Sequence, residues 1–80
     1  MDMYLGMVQL FALTFAPQNW MLCDGTTLQI NGNQALFALI GTTFGGDGVA
    51  TFVLPDLRGK QPLAGLHYCI CTQGIFPSRP

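Results

Sequence analysis

Two stretches of the sequence hold residue types that could do chemistry. The first is GTTFGGDG at residues 41–48, with four glycines in eight residues directly after the apolar run ALFALI. Glycines spaced as Gly41 and Gly46 suit a phosphate cradle, which requires G-x-x-x-x-G-K-[ST] after a strand and before a helix. Here Asp47 stands where the lysine belongs, and its carboxylate repels phosphate. The glycines also follow the expected helix, so the positive end of that helix points away from them. A dinucleotide fingerprint fails on the same order. Calcium needs several oxygen ligands at alternate positions, and Asp47 alone is too few. The second stretch is His67-x-Cys69-x-Cys71, with a third thiol at Cys23. On a strand these three side chains share one face, and the spacing is not a familiar zinc pattern. An odd cysteine count argues against a closed disulfide framework, so buried free thiols are expected.

Other catalytic constellations are missing. Ser78 is the only serine and His67 the only histidine, and no motif joins Cys23 to His67. There is no glutamate. Asp24, Asp47 and Asp56 stand beside glycine or proline, which is turn chemistry. Asp24 and Asp56 could form a carboxylate pair, but the turn reading is preferred. Asp56 and Arg58 suit a local ion pair. No enzyme, metal or cofactor is expected. The cations are Arg58, Lys60 and Arg79 only, so no basic patch supports nucleic-acid binding.

The elements around these residues are short. Residues 4–16 are apolar and aromatic and read as one strand, or two with a kink near Gly6. Pro17 and Asn19 make a turn, residues 20–23 a strand ended by Asp24-Gly25, and residues 26–30 a short edge-like strand. Asn31 followed by Gln34 resembles a capping box, and Leu36, Phe37 and Ile40 fit one helical face stopped by Gly41. The expected helix spans residues 33–40. Residues 51–54 read as a strand stopped by Pro55, residues 67–76 hold a last strand, and the final PSRP is an extended tail. The tetrapeptide LFAL occurs at 10–13 and 36–39 with unmatched flanks and is no repeat. The fold class is α+β: one small domain, residues 1–80, of short strands with one short helix.

Composition points to partners. Half of the 80 residues are hydrophobic and only 9% are charged, against about 25% in ordinary soluble domains. A chain this small buries little of its surface, so much apolar surface is left outside. The simplest resolution is an obligate oligomer or a filament. No apolar run reaches the roughly 18 residues of a membrane span. The opening residues lack a basic region and a small-residue cleavage motif, and read as mature sequence made without a signal peptide.

Taken in order, the strings FAPQNWMLCDG, QALFALIGTTFGGDG and TFVLPDLRG, from Phe15 to Gly59, resemble the phage tail collar domain of tail-fibre and microcystin-dependent-protein-like proteins. The HYCICTQGIFPSRP ending is similar to that of the bacterial relatives. One departure is large: only KQPLAGL lies between Gly59 and His67, where such proteins carry a long stretch with a His-x-His. Receptor recognition and metal binding are therefore not carried over. The resemblance implies a structural fibre module, trimeric or filamentous, in a virion tail or extracellular filament, with itself and other tail proteins as partners. Expected subunit contacts are Tyr4, Leu5, Val8, Leu10, Leu13, Phe15, Tyr68, Ile70, Ile75 and Phe76. Asp24, Gly25, Gly45, Gly46, Asp47, Gly48, Asp56 and Arg58 are expected to shape turns. The alternative is a glycan-binding module at a fibre tip, using Trp20, Tyr68 and the loop around Asp47. Trp20, beside a turn, reads first as a core anchor.

Overall fold

The computed structural model describes residues 3–77. Asp2, Ser78, Arg79 and the last residue of the expected tail lie outside that range. In chain order the elements are β1 (Val8–Phe11), β2 (Trp20–Leu22), β3 (Thr27–Gln29), α1 (Gln34–Ile40), β4 (Thr51–Val53) and β5 (His67–Cys71). They form an α+β fold with a three-stranded antiparallel sheet in the order β1-β5-β2 and a two-stranded sheet β3-β4.

β5 is the centre. Val8 faces Ile70 and Phe11 faces His67 on one side, and Trp20 faces Cys71 on the other. Alternation along the strand divides the apolar residues between two layers. Ile70, with Tyr68 beside it, joins Leu5, Cys23, Leu36, Phe52 and Leu54, the layer closed by α1 and β3-β4. Cys69 and Cys71 point to the opposite layer and bury against Trp20, with Phe11, Met3, Met7 and Leu22 around them. Phe11 meets the Trp20 indole edge-on at 5.0 Å, and Phe37 tilts against Phe52 at 5.4 Å.

The strand expected over residues 4–16 divides. Tyr4 makes a single parallel bridge with Ile75, Gly6 bends the chain, and β1 ends at Phe11. Its pairing stops there because β5 begins opposite, at His67. The last strand likewise stops at Cys71. Asn19, at φ 72°, turns its carbonyl so that it accepts from Thr72 N (2.9 Å), Gln73 N (3.3 Å) and Thr72 Oγ1 (3.2 Å).

The helix is near its expected place, but the capping box does not form. A turn in which Asn33 N donates to Ile30 O (2.9 Å) moves the N-cap to Asn33. Its side chain donates back to Gln29 O at 2.9 Å and does not cap the helix. Leu36 is the residue α1 buries, with Phe37, Leu39 and Ile40 partly covered.

The glycine loop closes tightly over β4. Val53 N donates to Gly45 O (3.2 Å) and Gly48 N to Thr51 O (3.1 Å). At Gly46 (φ 99°) an added Cβ would stand 2.5 Å from Phe52 Cα, closer than any side chain tolerates. Gly59, also at positive φ (81°), has nothing within 4 Å of that position. Gly59→Ala is therefore expected to cost about 1–2 kcal/mol for backbone strain alone. Gly46→Ala adds a further ~1–3 kcal/mol from overpacking against β4. Urea denaturation of the two variants measures the difference, and equal losses would contradict the close approach.

Candidate functional site

The three described carboxylates hold turns together. Asp47 presents Oδ1 to three successive main-chain amides, Val49 N (2.8 Å), Ala50 N (2.9 Å) and Thr51 N (3.0 Å). Those bonds favour the ionised form and hold its pKa down at about 2. The loop that resembles a phosphate cradle carries its own anion, on amides that follow the glycines. Asp24 Oδ1 accepts from Thr26 N at 3.1 Å and from the Thr26 hydroxyl. Asp56 takes the Arg58 guanidinium in a two-point grip, Nε to Oδ1 at 2.9 Å and an Nη to Oδ2 at 2.8 Å, and the Arg58 amide at 3.2 Å. The Arg58 side chain, then its amide, holds the Asp56 pKa at about 2, and Arg58 is raised in return.

Tertiary structure brings the Asp24-Gly25 and Pro55-Asp56 turns together. Asp24 and Asp56 form an antiparallel bridge, Leu57 N donates to Cys23 O (2.9 Å) and Gly25 N to Pro55 O (3.4 Å). Beside this junction lies a cleft of about 340 Å³ that includes Asp24, Arg58, Gln61, His67 and Tyr68 in its lining. Asp24 is distant in sequence from Arg58 and from the adjacent pair His67-Tyr68, and neither turn chemistry nor strand periodicity signals their meeting. Cys23 is also part of the lining. Burial, with Cys69 and Asp24 adding to it, pushes its thiol up to about 11, so almost none is the nucleophilic thiolate near neutral pH. Among the described residues, no three His, Cys, Asp or Glu side chains gather as metal ligands.

The expected contact residues separate into two groups. Leu5 and Ile70 are core residues of the chain itself and not surface, because Ile70 is on the central strand and Leu5 packs into the same layer. Tyr68 is partly buried against that layer. Tyr4, Val8, Leu10 and Leu13 are exposed, as are Phe15 (65%), Ile75 and Phe76 (52% each). Trp20 is 7% exposed, and its Nε1 donates to Met3 Sδ at 3.2 Å, so it is the expected core anchor and drops out of the glycan contacts of the alternative reading. Sequence reading did not pick out Phe44, Val49 and Leu63, which are also exposed. They lie in the glycine loop and the connector to β5, where neither strand nor helix periodicity applies.

The phage tail collar domain profile matches residues 6–62. The chain belongs to that family. The match carries with it a structural role in a phage tail fibre and a place in the virion tail. It runs from Gly6 through β1, β2, β3, α1 and β4, and stops before β5, although β5 pairs both β1 and β2. A search of curated proteins returned no significant match. No helix among the described residues of this collar domain is long and apolar enough to cross a membrane.

The Asp47 geometry has a pH consequence. An ordinary aspartate titrates near 3.9 in an unfolded chain. With its folded pKa near 2, Asp47 adds stability that is fully present above about pH 4. That stability is lost as pH falls toward 2. Asp47→Asn is expected to unfold at lower urea than wild type at pH 6. Its midpoint should also fall less between pH 4 and pH 2. A parallel pH profile for both proteins would contradict the amide-bound carboxylate.

Proposed function

We propose that this collar domain is an assembly module that associates with copies of itself, as a trimer or a filament, within a tail fibre. It is read as non-enzymatic. The supporting observation is the exposed edge of β1. Cys71 N donates to Met7 O (2.8 Å). Alternate residues of an antiparallel strand turn their polar groups the same way, so Gln9 and Phe11 also face β5. The N–H and C=O of Val8 and Leu10 therefore point outward, and both side chains are exposed. Natural edge strands are usually protected by charges, proline or bulges. Residues 3–16 contain no charged residue and no proline. Pairing with a neighbouring chain satisfies that edge and covers apolar side chains at once.

A second reading has the polar cleft in its favour. Tyr68 lines it, and Asp24, Arg58, Gln61 and His67 offer polar contacts suited to a sugar. This reading replaces Trp20 with His67 as a partner of Tyr68.

Purified protein is expected to run as a trimer or polymer by light scattering, with knobs or filaments in negative stain. Val8→Lys with Leu10→Lys is expected to shift it to smaller species while the far-UV circular dichroism is kept. A stable wild-type monomer at micromolar concentration would sink the assembly reading. Binding of assembled particles to a glycan array, abolished by Tyr68→Ala, is the result the second reading requires.

A further inference from the structure

We propose that residues 75–77 are exchanged between copies, each chain laying this segment against residues 3–5 of the next. The inference rests on the assembly reading above and gives it a specific contact. Within one chain the pairing consists of the parallel Tyr4–Ile75 bridge with two main-chain bonds, Leu5 N to Ile75 O (2.8 Å) and Ile75 N to Met3 O (2.9 Å). Ile75 and Phe76 are half exposed and belong to neither core layer. A segment held by so few buried contacts opens at low cost.

Its hinge is a single residue. Thr72 and Gln73 are fixed on the Asn19 carbonyl, so Gly74 alone separates that anchor from Ile75. Gly74 runs so close to the acceptor that an added Cβ would stand 2.5 Å from Met3 O and 3.0 Å from Cys71 Sγ. A backbone without a side chain there permits both the docked path and a released one.

Exchange recreates the same two bonds between chains, so it needs no new complementary surface; this is the low-cost route of swapped oligomers. Donor and acceptor are different segments, so the contact is heterologous and either closes as a ring or continues as a filament. The parallel sense adds direction. Met3 and Phe76 leave the pair in opposite directions.

The test is a Tyr4→Cys/Ile75→Cys double variant, assembled, oxidised and run on a denaturing gel without reductant, with wild type and both single variants as controls. Exchange predicts covalent multimers, ending at the dimer for a reciprocal pair or the trimer for a three-membered ring, and continuing as a ladder for a filament. Only monomers with an internal disulfide, from protein that light scattering shows to be assembled, would overturn exchange and leave the assembly reading standing. A wild-type protein that stays monomeric overturns both. If the double variant does not fold, tagged Ile75→Cys chains are mixed with Tyr4→Cys chains during refolding. A disulfide heterodimer is then expected, and its absence overturns exchange.

Discussion

Everything else in this small domain depends on β5 being satisfied on all four sides. Its two edges pair with β1 and β2, and its two faces bury Ile70 in one layer and Cys69 and Cys71 in the other. Neither layer is large. They share one strand, so they hold each other in place through its backbone. The family match ends at residue 62 and β5 begins at His67. The matched stretch is therefore a frame with a slot, and the slot is filled by a strand beyond the matched residues.

The scarcity of charge has a structural counterpart. Asp24, Asp47 and Asp56 each accept a main-chain N–H from two to four residues onward. These few acids are spent on turns, where an Asx-type bond replaces the ladder bonds a loop lacks. Little polar surface is then left to shield apolar side chains such as Phe15, Val49, Ile75 and Phe76.

The thiols follow the same economy. Cys69 and Cys71 are small enough to let the Trp20 indole lie over the centre of the sheet, and they act as buried apolar groups. Trp20 satisfies its N–H on a thioether within the same layer. In the cleft beside Asp24 and Arg58, several unlike polar side chains meet beside the partly buried Tyr68.

Much of this was legible locally. The turns at Asn19, Asp24-Gly25 and Asp56 to Arg58, the helix and its stop at Gly41, and the family itself all rest on short-range chemistry that neighbouring residues determine. Asp47 in place of a lysine, with the glycines following the helix, argues against a phosphate loop from local sequence. Strand ends were not legible, because Phe11 and Cys71 close their strands where partners run out, and the helix cap moved because a turn from β3 claims Asn33. Nor could the sequence separate Leu5 and Ile70 from Tyr4 and Phe76. All four are apolar residues of strand-forming type, and only the arrangement of the two layers decides which are covered by the chain itself and which stay exposed.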